Sequence, residues 1–170
     1  MMCEVYLGLG SNLGDRVANL NAGAVMLEKR IGAIEVSSLF TTAPIGFAMQ
    51  PEFLNAACRL RTRLDPFDLM HTIRCIEDSV GRRRTFVNAP RTLDIDILLF
   101  GSQVLRGPPV SLPHPRLVER SFALAPLVEL APRLRHPVLG STMSELLGRL
   151  PRANIRAALP SGRWDPRVTL

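Results

Sequence analysis

Lysine is nearly missing from this chain: of its 21 basic residues only Lys29 is a lysine, and the rest are arginine. Aromatic residues are also scarce, at 5% with one tryptophan and one tyrosine. No apolar run approaches the ~20 residues a membrane-spanning helix needs, so a spanning protein is excluded and no membrane partner is expected. The three cysteines, Cys3, Cys58 and Cys75, are odd in number, widely spaced and without a CxxC pair. That excludes a disulfide framework or a cysteine zinc site and points to the reducing cytoplasm. The opening MMCEVYLGLGSNLGDR lacks a basic leader and carries Glu4 almost at once, so it is not expected to act as a signal peptide. Internal repeats and low-complexity linkers are missing. Gly8, Gly10 and Gly14 are accompanied by neither a Walker lysine nor a GxGxxG spacing, so they are not read as a phosphate loop.

What remains is a chain of 170 residues, 46% hydrophobic, enough for one domain with a real core. Glu4–Gly10 reads as a strand. Leu13, Val17, Leu20, Ala24, Leu27 and Ile31 recur at helical spacing up to Gly32, with Ser11-Asn12 as the expected cap. Ile34, Val36, Ser38 and Phe40 alternate as a strand, residues 42–51 form a loop, and Phe53–Arg63 alternates again. Asp65-Pro66 opens a second helix with its apolar stripe on Leu69, Met70, Ile73, Ile76 and Val80. Thr92–Phe100 is a strand, Glu119–Leu130 a helix, and Thr142–Leu150 another with Thr142 and Glu145 at capping-box spacing. Residues 151–170 look like a loosely attached tail. The order β, α, β, β, α, β predicts an α+β chain (α/β in the broad sense) of ferredoxin-like pattern, an antiparallel sheet with two helices on one face. Fold alone does not assign function.

The charge is uneven. Residues 1–77 carry seven basic and eight acidic groups, whereas residues 78–170 carry fourteen and seven. The arginine preference is equally what a codon bias would leave, but the asymmetry points to a polyanion or a polyphosphate ligand. Asp94 and Asp96 are the sharpest feature. At i and i+2 of a strand they share a face, about 6.6 Å apart along the backbone, while Leu93, Ile95, Ile97 and Leu99 point the other way. Paired carboxylates among apolar residues repel and lose solvation, and a divalent cation offsets both costs; oxygen ligands favour Mg²⁺. A polar face open to water is the alternative. Arg82, Arg83, Arg84 and Arg91 precede the acids, and acids beside arginine forks suit an Mg²⁺–polyphosphate ligand as well as they suit a solvated loop of internal ion pairs. Arg83 is left to the solvated loop. Phe53 and Asn55 share a strand face that would suit a flat heterocycle or serve as ordinary core. His114, held between prolines, would bind phosphate or bond locally. An RNA-binding module on the same fold is the rival, but the chain lacks the aromatic run such a sheet displays, so no nucleic-acid partner is expected.

Four segments, GLGSNLGDR at 8–16, TAPIGFAMQPEFLNAA at 42–57, GRRR followed by NAPRTLDIDILLFG over 81–101, and LPHPRLVERSFALAPLVELAP at 112–132, resemble the 6-hydroxymethyl-7,8-dihydropterin pyrophosphokinase family of folate biosynthesis. The resemblance covers residues 4–132. It implies an α/β/α sandwich and a transfer in which the pterin hydroxymethyl oxygen attacks the β-phosphorus of ATP and AMP leaves. It also implies two Mg²⁺ ions on Asp94 and Asp96, catalytic roles for Arg82 and Arg91, and an ATP site including Glu77, Arg84, His114 and Arg120. Thr42, Pro44, Ile45, Phe53, Asn55 and Phe122 would form the pterin slot, with Phe53 and Phe122 sandwiching the ring. Loops near 44–51 and 82–91 are lids in the family, and a monomer is expected. Phe53, Val87 and Asn88 depart from the family's frequent tyrosine, basic residue and tryptophan, which bears on lid closure and pterin affinity.

Overall fold

The computed structural model describes residues 1–44, 49–84, 86, 89–151, 156–158 and 164–168. Ile45, Val87 and Asn88 therefore lie outside the described residues. Strand β1 (Cys3–Ser11) leads into α1 (Arg16–Arg30), then β2 (Ile34–Val36), β3 (Phe40–Thr42) and β4 (Phe53–Thr62). Helix α2 (Pro66–Ser79) precedes β5 (Asp94–Phe100), a 3-10 turn (Leu117–Glu119), α3 (Ser121–Leu130), α4 (Met143–Gly148) and the short β6 (Arg156–Ala157). The sheet order is β5-β1-β4-β3-β6, with β2 pairing β4 ahead of β3, and the pairs are antiparallel. This is the expected ferredoxin-like arrangement. Helices α1 and α2 cover one face over Val5, Leu7, Leu9, Ile95 and Ile97, and α3 and α4 cover part of the other over Tyr6, Ala57 and Leu98. Among the described residues no helix is long and apolar enough to cross a membrane.

Local chemistry explains most boundaries. The Asp65 side chain accepts from the N–H groups of Phe67 and Asp68, with Pro66 in the first turn, as the sequence suggests. Thr142 and Glu145 form the expected capping box. Helix α1 starts later than expected. Gly14 adopts φ +68, a left-handed turn that delays the helix, and Asp15 rather than Ser11-Asn12 caps it by accepting from the Ala18 N–H. The strand expected over 34–40 is split. Ser37 bonds Ala57 twice, through its N–H to the Ala57 carbonyl and through its hydroxyl from the Ala57 N–H, each at 2.9 Å, while Glu129 of α3 takes the Ser38 N–H at 2.8 Å. The helix expected from Glu119 begins at Ser121, because Arg120 holds extended backbone (φ −110, ψ 90) between the 3-10 turn and α3.

Two further expectations are corrected. Leu99 does not join Leu93, Ile95 and Ile97. The register shifts between Tyr6 and Leu7, and this bulge in β5 inserts Leu98 and reverses the alternation, so Leu98 and Leu99 both face α3. Nor are the described residues of the tail loose. Trp164 is 2% exposed and its Nε1 donates to Asn21 Oδ1 at 2.7 Å, since a large apolar ring gains most by covering α1.

Candidate active site

The α3 face of the sheet is left open at one end, and there a cleft of about 210 Å³ forms. Its floor follows from strand register. Asp96 lies opposite Gly8, which lies opposite Ala57; Asp94 lies opposite Gly10, which lies opposite Asn55. Side chains of directly opposed residues share a face. Both aspartates, both glycines and Asn55 therefore address the same space. A Cβ on Gly10 would stand 3.1 Å from Asn55 Oδ1, and one on Gly8 would stand 3.3 Å from Leu98 Cδ2. The glycines are thus needed for room.

One end of the cleft is aromatic and amide. Thr42, Phe53, Asn55 and Phe122 line it, with Ala43 beside them. Asn55 Nδ2 donates to Thr42 Oγ1 at 2.7 Å, which fixes the amide and leaves Oδ1 beside Gly10. Pro44 follows Ala43 but does not line the cleft, and Ile45 is outside the described residues.

The other end is charged. Asp94 Oδ1 accepts from Arg82 Nη1 at 2.5 Å, and its Oδ2 lies 3.1 Å from Arg91 Nε. Asp96 Oδ2 accepts from Arg120 Nη1 at 3.0 Å. Burial, then the Asp94 charge, push the Asp96 carboxyl up to about 6 despite Arg120 and Arg91. Arg91 and Arg120 also touch the aromatic end: their Cζ atoms lie 5.2 Å from the Phe53 ring centre and 5.6 Å from that of Phe122. Each arginine therefore joins one aspartate to one ring.

Glu77 sits behind this row at 3% exposed. Its Oε1 accepts from the Ile95 N–H at 2.8 Å and from Arg82, and its Oε2 accepts from Arg84 Nη2 at 2.5 Å. Burial pushes its pKa up while Arg82 opposes the rise. Arg84 also bonds Asp78 Oδ1 at 3.0 Å. Glu77, Arg82, Arg84 and His114 are not in the cleft wall; they back it. Burial and then Arg120 lower the His114 pKa to about 4, so the ring is neutral at pH 7. Its Nδ1 accepts from the Arg116 N–H at 3.1 Å, and its Nε2 lies 3.4 Å from Arg120 Nη1 and 3.8 Å from Asp96 Oδ2.

Sequence reasoning missed four contributors. Gly8 and Gly10 form the floor, and the signal available was small residues alternating with Leu7 and Leu9. Arg116 lines the charged end while pairing with Glu119 at 3.3 Å. Asn12, expected as a cap, instead ties two loops: its Nδ2 donates to Gln50 Oε1 (2.9 Å) and the Pro51 carbonyl (3.2 Å), and its Oδ1 accepts from the Arg91 N–H (2.9 Å).

The donor set can be tested against a cation. Two carboxylates aim into one cleft, and among the described residues no cluster of three histidine, cysteine or acidic side chains forms. Oxygen ligands too few to cage an ion fit Mg²⁺, which keeps waters and takes phosphate oxygens. The surrounding arginines suit the phosphates themselves.

Residues 6–132 match the family model described as 7,8-dihydro-6-hydroxymethylpterin-pyrophosphokinase (HPPK). A Pseudomonas aeruginosa 2-amino-4-hydroxy-6-hydroxymethyldihydropteridine pyrophosphokinase is 41% identical over 153 residues, covering 89% of this chain and 94% of that protein. The Aquifex aeolicus protein of the same name is 38% identical, covering 85% and 90%. The Schizosaccharomyces pombe folic acid synthesis protein fol1 is 38% identical across 89% of this chain, which spans only 21% of that longer relative. A crystal structure of Plasmodium falciparum HPPK-DHPS shares the fold, with a TM-score of 0.73 at 17% identity over 88% of this chain and 43% of that one. With the family match spanning residues 6–132, from within β1 past the end of α3 and so across the strands that floor the cleft, this chain belongs to the 7,8-dihydro-6-hydroxymethylpterin-pyrophosphokinase family.

Proposed function

We propose that this chain transfers the pyrophosphoryl group of ATP to the hydroxymethyl oxygen of 6-hydroxymethyl-7,8-dihydropterin, releasing AMP, as a step of folate biosynthesis. One observation carries the reading. A single cleft sets a paired-aspartate, arginine-rich end against an aromatic–amide end, with Arg91 and Arg120 spanning the boundary.

In this reading the pterin ring lies between Phe53 and Phe122, and Asn55 Oδ1 accepts from a ring N–H. Thr42 holds that amide so that its acceptor faces the ligand. The triphosphate lies at the charged end. Two Mg²⁺ ions, bound to Asp94, Asp96 and phosphate oxygens, would neutralise phosphate charge and favour attack at the β-phosphorus. Arg91 and Arg120 stand where the hydroxymethyl oxygen meets that phosphorus. On substrate binding they exchange an aspartate for phosphate oxygens, and their charge stays in place as the transition state forms. Arg82 and Arg84, braced by Glu77, hold the flank of the triphosphate, and neutral His114 stands beside it with Arg120. Phosphoryl transfer depends chiefly on positioning and electrostatics, so a side-chain base strong at pH 7 is not required.

In this reading the protein acts as a monomer on small molecules. The free thiols of Cys3, Cys58 and Cys75 accord with a reducing cytoplasm. The test is to mix protein, ATP, Mg²⁺ and the pterin alcohol. AMP and pyrophosphorylated pterin should appear in equal amounts; ADP in place of AMP would overturn the reading. Phe53→Ala should weaken pterin binding by about 1–3 kcal/mol, the range for loss of a stacking partner, and leave ATP binding unchanged. Calorimetric titration with each ligand separates the two, and an unaltered pterin dissociation constant would remove Phe53 from the slot.

A further inference from the structure

The segment after α4 lies beyond the residues that match the family, yet its described parts join both helical layers and the sheet edge between them. α4 packs in the α3 layer through Met143 and Leu146, whereas Trp164 is buried in the α1–α2 layer. Trp164 Nε1 bonds Asn21 on α1 at 2.7 Å, and Arg167 reaches Glu28 on the same helix twice, Nε to Oε2 at 3.2 Å and Nη2 to Oε1 at 2.8 Å. Between them β6 pairs with β3, Arg156 opposite Thr41 and Ala157 opposite Phe40. The Ala158 N–H donates to the Leu39 carbonyl at 2.8 Å. Arg156 Nη2 meets both oxygens of Glu52, at 3.0 and 3.3 Å.

Both attachment points adjoin the aromatic end of the cleft. β3 ends in Thr42, which holds Asn55, and Glu52 directly precedes Phe53. A three-residue edge strand bonded on one side frays readily, because its outer N–H and C=O groups exchange freely with water. β6 occupies that outer edge. The acids and arginines of the charged end sit on β5, α2 and residues 82–120, and no bond described above runs from the segment to them.

We propose that residues 156–158, together with Trp164, act as a strap that positions the pterin end of the cleft, with Arg156, Ala158 and Trp164 as positioning residues for Thr42, Asn55 and Phe53. The proposal rests on the reading of that end as a pterin slot. β6 holds β3 in register, β3 holds Thr42, and Thr42 sets the amide that meets the ligand; Trp164 packs on α1. Linkage makes the coupling reciprocal: a ligand that needs an ordered β3 must in turn order the strap.

The test titrates wild type, Trp164→Ala, Trp164→Phe and Ala158→Pro with 6-hydroxymethylpterin and, separately, with an unhydrolysed ATP analogue plus Mg²⁺. Ala158→Pro removes the one N–H given to Leu39 and suits the extended backbone of β6, so it tests the strap even where Trp164→Ala fails to fold. Expected are a pterin dissociation constant raised about 3- to 10-fold in Trp164→Ala and Ala158→Pro, partial recovery in Trp164→Phe, and ATP-analogue affinity within about twofold of wild type. Hydrogen exchange at Ala157 and Ala158 should slow when pterin binds and not when the nucleotide binds. Unchanged pterin affinity in both variants overturns the proposal, as does an equal loss for both ligands, which marks general destabilisation. Wild type that binds pterin without forming AMP sinks the functional reading and leaves the strap standing; wild type that binds no pterin sinks both.

Discussion

Asp96→Asn is expected to lower kcat by about 10³-fold, equivalent to about 4 kcal/mol of transition-state stabilisation, while the fold persists. The substitution keeps the side chain's shape and its acceptor toward Arg120, and removes only the charge that a divalent cation needs. The same charge is a burden to the ligand-free protein. Burial and the neighbouring Asp94 raise the Asp96 pKa from 3.8 to about 6. A raised acid disfavours the folded state where it is ionised in both states, so its penalty is full above pH 6 and disappears below pH 3.8. With chelator present, Asp96→Asn should therefore melt above wild type at pH 7, and the gain should vanish near pH 4. Thermal scans at the two pH values and steady-state assays at saturating Mg²⁺ check both halves. Wild-type turnover in Asp96→Asn would take the residue out of the cation role.

Glu77→Ala is expected to lose about 3–5 kcal/mol of stability, because breaking a buried ion pair leaves its partners uncompensated. Glu77 is 3% exposed, and its two oxygens serve Arg82, Arg84 and the Ile95 N–H. Its loss strands the Ile95 donor at the start of β5 and leaves Arg82 to Asp94 and the Leu93 carbonyl. For a chain of this length the melting temperature should drop by roughly 10 °C. Activity should fall with it, since Arg82 then collapses on Asp94, the cation ligand of the proposed function. Glu77→Gln preserves an acceptor for Ile95 and should lose less. A variant that melts like wild type but binds ATP poorly would instead make Glu77 a direct nucleotide ligand.

These two residues differ in how far the sequence announces them. Asp94 and Asp96 stand out because a strand's period of two places both on one face whatever the rest of the chain does. Glu77 falls four residues after Ile73, in phase with the apolar stripe of α2, and that misplaced charge is its signal. Without the partners beyond the helix, the phase does not say whether such an acid meets solvent, substrate or arginine. Leu99 was misplaced by one bulged residue, an event of strand pairing that alternation along a single strand does not encode. Asn12 reads as a cap from its neighbours, but the left-handed Gly14 moves the helix start to Arg16 and frees the amide to tie Gln50 and Pro51 to Arg91.

The sequence by itself determined the order of strands and helices apart from the break at Ser37 and the added β6, the caps at Asp65 and Thr142, and the common face of the two aspartates. These depend on interactions a few residues long, where periodicity and side-chain-to-backbone bonds act without reference to distant chain. Only the tertiary structure decided that Arg91 and Arg120 each join an acid to a ring, that Glu77 braces two arginines from behind, and that Trp164 closes the chain onto α1. Those outcomes depend on which charges and which apolar surfaces remain after segments far apart in the chain have packed, and water competes for each of them until packing excludes it.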